Sequence, residues 1–344
     1  MNVKLMNRKG YIDMNVIDMH CDTISGIYYA NKRGETCNLR KNSFHLDIEK
    51  MEQGNYILQN FAMFVNIKEH ADPLEHCLDL IDCFHQQMEL NKDRIRAVLC
   101  YDDILMNRKL GLMSALLTIE EGAVTGLKLS HLRNFYRLGV RMLTLNWNHE
   151  NGIGYPNFLH MEGETENYKI PNTKLGLSKF GFEMIHEMES LGMIIDVSHL
   201  SDAGFYDVLQ NTSKPFVASH SNARAKCNHV RNLTDDMIRA LASRGGVIGV
   251  NYYANFLKED MTPLEEEKSI AIIVDTINYM INIGGYECVG LGSDFDGIPT
   301  NKGIPDCSYM PRLFEELKSS GLKEDVIEHV FHKNVLRLYK DVLK

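Results

Sequence analysis

Apolar residues along this chain gather into short runs. Eight stretches carry them: Val16–Thr23, Asn60–Val65, Leu116–Gly122, Val140–Asn146, Met193–His199, Pro215–Ser221, Val247–Asn251 and Val289–Gly297. They show little apolar-polar alternation, the pattern of strands buried on both faces of a parallel sheet. Between them lie segments of helical spacing. Pro73 to about Asn91 carries Leu74, Leu78, Ile81 and Met88, and Leu129, Leu132, Phe135 and Leu138 recur at the same period. Further helices are expected over Leu177–Leu191, Phe205–Leu209, Asp235–Arg244 and Ile270–Ile283, with one starting near Ser43–Glu49. Gly192, Gly245-Gly246 and Gly284-Gly285 supply helix ends. Strand then helix, about eight times over, predicts a (β/α)8 barrel. An open doubly wound sheet is the competitor. It would show a glycine-rich phosphate turn after an early strand, and the chain has none.

Composition leaves this picture standing. The 344 residues are 44% hydrophobic and 24% charged, ordinary for a globular chain. No linker or low-complexity tract divides them, so residues 1–344 are expected to form a single barrel domain. The net charge is -9 and basic residues are scattered, which argues against a nucleic-acid partner. No stretch reaches the roughly 18 apolar residues of a membrane span, and residues 1–8 lack a signal-peptide core. The eight cysteines are dispersed with no C-x-x-C pair, so reduced thiols and a cytoplasmic location are expected, with no membrane attachment.

Chemistry concentrates where the runs end. In a barrel of this kind the carboxyl ends of the strands converge on one pocket. Here those ends carry His20, Asp22, Glu120, His199, His220 and Asp294. Three histidines and three carboxylates suit divalent ions, zinc above all. They suffice for two ions, one on His20 and Asp22, the other on His199 and His220, with Glu120 bridging. Such a pair activates a shared water and polarises the bond it attacks. Glu121 is the alternative to Glu120, which is favoured because Ile119 is expected on the opposite face. Asp296 is the alternative to Asp294, but it precedes Gly297 in what reads as a turn. Asp294 is the expected general base. His76 and His85 fall among charges and read as solvated. His131, His149, His160, His186 and His229 have no strand-end setting. No G-x-S-x-G motif and no Cys/His pair stands out, against a covalent hydrolase.

These residues resemble the membrane (renal-type) dipeptidase family, peptidase family M19. The resemblance rests on Ile17-Asp18-Met19-His20-Cys21-Asp22, Ile119-Glu120-Glu121-Gly122, Leu138-Gly139-Val140-Arg141 with Leu143-Thr144-Leu145, Ile195-Asp196-Val197-Ser198-His199, Ser219-His220-Ser221, Arg231-Asn232 and Gly292-Ser293-Asp294-Phe295-Asp296-Gly297. It implies a barrel with two zinc ions bridged by Glu120, held by His20 and Asp22 on one side and His199 and His220 on the other. It implies hydrolysis of dipeptides, tolerating a D-residue at the C-terminal position, by attack of a metal-bridging hydroxide. Asp294 matches the acid/base residue and Arg231 the residue that meets the substrate carboxylate. Family members are commonly homodimers, and the absence of export and anchor signals points to a soluble bacterial-type member.

One position departs from the family. The well-studied animal members carry a histidine, which helps hold the scissile carbonyl oxygen, where this chain has Trp147. An indole offers one N–H and carries no positive charge. Trp147 and His149 are therefore candidate substrate contacts, with Asn146, Asn148 or His149 able to compensate. Other readings are a binuclear hydrolase acting on a lactone or another amide, and a catalytically impaired metal- or peptide-binding relative.

Overall fold

The computed structural model describes residues 14–157 and 168–344. His160 and the first 13 residues lie outside the described residues. Nine strands alternate with helices: β1 (Val16–Asp18), β2 (Tyr56–Phe64), β3 (Ile95–Ala97), β4 (Met113–Glu120), β5 (Val140–Thr144), β6 (Ile194–Asp196), β7 (Val217–Ala218), β8 (Val247–Val250) and β9 (Val289–Leu291). Every pairing is parallel. Eight strands run in the order β2-β1-β9-β8-β7-β6-β5-β4, and β2 pairs with β4 to close the ring. This is the expected (β/α)8 barrel.

The ninth strand is an addition. β3 pairs with the first residues of β4, Ile95 opposite Met113, and is followed by a helix over Tyr101–Lys109. Arg96, its middle residue, is exposed, so the strand has no apolar run to announce it. His76 also differs from expectation. It is buried, its ring stacked 3.7 Å from that of His70 beneath the Tyr29 hydroxyl. Tyr28 and Tyr29, from the helix Thr23–Lys32, cover it, a contact that charge patterning along the His76 helix does not reveal. His85 is exposed, as expected, and bonds the Leu138 carbonyl.

Local chemistry sets the helix ends. Asp72 accepts from the Glu75 amide at 3.0 Å with Pro73 opening the helix Pro73–Leu90. Ser178 accepts from the Gly181 amide at 3.0 Å, and Gly192, at φ +78°, ends the same helix, Lys179–Leu191.

Two apolar layers hold the barrel. One lies between strands and helices. The other draws single residues from seven different strands: Ile17, Leu58, Leu116, Met142, Ile194, Val217 and Val247. Only the barrel axis brings seven strands to one place. The C-terminal helix Asn334–Val342 closes its floor with Val335, Leu338 and Tyr339. Tyr339 donates to Asn60 at 2.7 Å inside the barrel. Above this filled floor the interior turns polar. Register aligns Phe64, Glu120, Thr144, Asp196 and Val217 in one row across five strands. That row marks the base of the cleft. No helix among the described residues is long and apolar enough to cross a membrane.

Close backbone approach positions the far side of this row. Gly249 and Gly292 pack against each other, and a β-carbon on either would run into the carbonyl oxygen of Ser219. Ser219 precedes His220, so the two glycines set how deep that histidine sits. Gly292→Ala is expected to destabilise the fold by about 3 kcal/mol, the upper end of the usual overpacking cost. A urea midpoint lowered without a change in slope checks it; an unshifted midpoint would show that the barrel yields there.

Candidate metal centre

The strand ends deliver the expected side chains to one buried point, though not always by the expected route. β1 ends at Asp18 and the chain bends at Met19. Cys21 then pairs in parallel with Phe295, so His20 and Asp22 flank a bridged residue just beyond the end of β1. His20 Nε2 lies 3.5 Å from Asp22 Oδ2, 3.2 Å from Glu120 Oε2 and 3.8 Å from Asp294 Oδ1. The other oxygen of Glu120 faces the opposite pair: Oε1 is 2.9 Å from His199 Nε2 and 3.4 Å from His220 Nε2. One carboxylate thus turns an oxygen to each half of the cluster. All six residues are buried.

The competing carboxylates stand elsewhere. Glu121 is fully buried at φ +130°, a backbone conformation uncommon for a side chain of this kind. Its carboxylate accepts from the Ala123 and Trp147 amides and from the Asn151 side chain, pinning the loop after β5. Burial raises its pKa to about 7. Asp296 accepts from the His45 amide at 2.7 Å and the Thr23 hydroxyl at 2.5 Å, tying loops together at the cleft edge. Asp294, at φ +65°, faces the cluster, and Asn251 donates to its Oδ2 at 2.9 Å. Gly297 makes room for it: a β-carbon there would strike both Asp22 Oδ2 and Asp294 Oδ1.

The donor set fits divalent ions on physical grounds. Within 4.8 Å of one another lie ligand atoms of His20, Glu120 and His220, and likewise those of His20, Asp22 and Asp294. Among the described residues, Asp22 Oδ1 and both His20 nitrogens have no hydrogen-bond partner. His199 Nε2 and His220 Nε2 face each other at 3.0 Å. The Ser219 hydroxyl donates to Asp196 Oδ2 at 2.6 Å, so it accepts from His220 Nδ1 at 2.7 Å. A neutral His220 then points a bare lone pair from Nε2 into the cluster. Burial and His20 keep His220 below the ordinary imidazole range, and burial with Arg231 takes His199 to about 3. Both are held in the neutral form that metals bind. Burial lifts Asp22 to about 7, while Glu120 and Asp22 outweigh burial and raise His20. The carboxylates recruit a proton onto His20 where a cation would serve them better.

Asp196 was missed as a site residue by sequence reasoning. It is fully buried and lowered in pKa, because His220 and its hydrogen bonds outweigh burial. Thr144 Oγ1, the amides of Ser198 and Ser219, and both their hydroxyls donate to it. Its place three residues before His199, at a strand end, was the available signal.

Above the cluster opens a cleft of about 570 Å³, bordered by Trp147, Asn148, Phe64, Arg231 and Tyr253. Trp147 meets Phe64 edge-on at 5.0 Å and lies 6.1 Å from the His199 ring. His149 packs edge-on against Trp147 at 5.5 Å and does not border the cleft. Arg231 is buried, over the Phe256 ring at 5.4 Å. Among the described residues its guanidinium makes only long bonds, 3.4 Å to Ser221 Oγ and 3.3 Å to the His220 carbonyl, and Nε has no partner. Burial lowers its pKa to about 10.

Comparison with known proteins agrees with this geometry. The family described as membrane dipeptidase (peptidase family M19) matches residues 8–344. An uncharacterized dipeptidase of Schizosaccharomyces pombe is 33% identical over 86% of this chain and 72% of its own length. An uncharacterized protein of Klebsiella pneumoniae is 35% identical over 77% of this chain and 97% of its own. Among solved structures, the dipeptidase AC, a metallo peptidase of family M19, is 25% identical with a TM-score of 0.86, covering 96% of this chain and 99% of that one. A metallo peptidase from Rhodobacter sphaeroides, liganded with a phosphinate mimic of the dipeptide L-Ala-D-Ala, shares the fold at 24% identity and a TM-score of 0.84, covering 96% and 99%. The chain belongs to the membrane dipeptidase family, peptidase family M19, and is a metallo-dipeptidase that hydrolyses peptide bonds.

Proposed function

We propose that this dipeptidase acts on free dipeptides, tolerating a D-residue at the C-terminal position, with two zinc ions held by His20, Asp22, Glu120, His199 and His220. The observation that carries the substrate reading is Arg231. A buried guanidinium with no carboxylate partner among the described residues is costly, and an anion supplied by substrate offsets that cost. A planar fork suits a terminal carboxylate bidentately. With that end fixed beside the cluster, the cleft admits a short peptide. The phosphinate mimic of L-Ala-D-Ala on the Rhodobacter sphaeroides relative supports the same class.

Ions bound at this cluster would lower the pKa of a shared water toward neutrality and polarise the scissile carbonyl. The protein's own groups do the rest. Glu120 offers one oxygen to each half of the site and keeps the halves together. Asp294 takes the proton released by the attacking water and returns it to the leaving amine. Asn251 holds one Asp294 oxygen and leaves the other, 3.8 Å from His20 Nε2, turned to the reacting centre. Asp196, through Ser219, keeps His220 in the tautomer that exposes Nε2.

Three outcomes are expected. Turnover of L-Ala-L-Ala and L-Ala-D-Ala should vanish with chelator and return with zinc, with two ions per chain by elemental analysis. Turnover that survives complete metal removal would overturn the metal reading. Asp294→Asn should lower kcat by about 10²–10⁴, the usual worth of a general acid-base group, with both metals retained. Full activity in that variant would remove Asp294 from the mechanism. Arg231→Met should lower kcat/KM about 10- to 100-fold, matching roughly 1.5–3 kcal/mol for a hydrogen bond to a charge. The variant should also lose the preference for free over C-terminally amidated dipeptide; a preserved preference would place the carboxylate elsewhere.

A further inference from the structure

We infer that Asn148 performs the task left open by Trp147: its side-chain amide donates to the scissile carbonyl oxygen while its carbonyl holds His199 in the metal-binding tautomer. The inference rests on the dipeptidase reading above and deepens it by naming a catalytic residue.

Three neighbours of Trp147 are polar enough to replace the missing donor. Asn146 is fully buried, and its Nδ2 is spent on the Trp147 carbonyl at 2.6 Å. His149 does not border the cleft. Asn148 does, together with Glu120, His199, His220, Arg231 and Asp294. Its orientation follows from His199. A histidine that offers Nε2 to a metal while neutral carries its hydrogen on Nδ1. That nitrogen lies 2.8 Å from Asn148 Oδ1, so the amide oxygen accepts, and the NH2 group is the end left over. Among the described residues Nδ2 meets no acceptor, and the side chain is only half-buried. Two N–H donors thus stand free at the cleft wall, on a side chain already anchored to a metal-site histidine.

Their position is held from behind. The Glu121 carboxylate takes the Trp147 amide and the Asn151 side chain, and Asn151 in turn bonds the Leu145 carbonyl at 2.9 Å. The loop carrying Asn148 is therefore clamped on both sides of the residue. Trp147 is packed edge-on against Phe64 and gives the cleft an aromatic wall with a single uncharged N–H in place of an imidazole. A preorganised donor of this kind acts on charge that develops in the transition state. It affects the rate far more than ground-state binding.

Two variants separate the two roles. Asn148→Asp keeps an oxygen for His199 and removes the donors. Asn148→Ala removes both. Wild type and variants would be measured for kcat and KM on L-Ala-D-Ala, for zinc affinity, and for binding of the phosphinate mimic of L-Ala-D-Ala. Binding can be followed by the fluorescence of Trp147, the chain's only tryptophan. With zinc saturating, both variants should lose about 10²-fold in kcat/KM, mostly in kcat. Phosphinate affinity should fall in proportion, because the phosphinate oxygen occupies the place of the developing charge. Only Asn148→Ala should also lose zinc affinity. Unchanged kcat/KM and phosphinate affinity in Asn148→Asp would overturn the donor role. Full recovery of Asn148→Ala by added zinc would reduce Asn148 to a tether. Wild-type protein with two zinc ions that neither cleaves the dipeptide nor binds the mimic would overturn the substrate reading itself, and this inference with it.

Discussion

The structure is organised around an electrostatic imbalance. Lone pairs of three carboxylates and three imidazoles are packed into a few ångströms at the mouth of a barrel, away from water. Without a cation between them, neighbouring oxygens and bare nitrogens repel, and the cost rises with burial. Protons relieve only part of this, as the raised pKa values of His20 and Asp22 show. Glu120 is the pivot. Its two oxygens face different partners, so the halves of the site meet through one carboxylate.

Holding such a cluster together requires rigidity below and around it. The barrel floor is filled with apolar side chains and stoppered by the C-terminal helix. On that base sits a polar layer whose bonds are directed outward from the site. Asp196 collects donors from Thr144 at the end of β5 and from Ser198 and Ser219 just beyond β6 and β7, and passes orientation to His220. Glycine at positions 249, 292 and 297 lets backbone and carboxylates approach where a β-carbon would stand. Glu121 anchors the loop after β5, so paired carboxylates adjacent in the chain serve two separate purposes.

Substrate handling is divided along the same lines. Arg231 is a buried cation in search of a counterion, set against the backbone that carries His220. Aromatic groups, Trp147 and Phe64 on one side and Phe256 beneath Arg231, line the cleft. The polar amide of Asn148 borders the same cleft. On the proposed reading, a short peptide held at its carboxylate by Arg231 would lie over the cluster that shares this cleft.

Much of this was legible in the chain. Strands buried on both faces leave unbroken apolar runs, so the eight ring strands showed, and a ligand-type residue at the end of a run marks the barrel mouth. β3 did not show, because a short strand beside the ring needs no such run. Nor did the burial of His76, which depends on tyrosines from another helix. Local pattern left Glu120 against Glu121 and Asp294 against Asp296 as preferences. The structure separates each pair by its partners: Glu121 turns to the Ala123 and Trp147 amides, and Asp296 to Thr23 and His45, while Glu120 and Asp294 face the cluster. The sequence by itself determined the fold class and the residue types at the strand ends, because burial and metal-type chemistry are written in local composition. Tertiary structure alone decided which atoms meet: the split of Glu120, the Asp196–Ser219–His220 relay and the orientation of Asn148. Those depend on partners brought together from distant parts of the chain, and no local pattern encodes a distance between them.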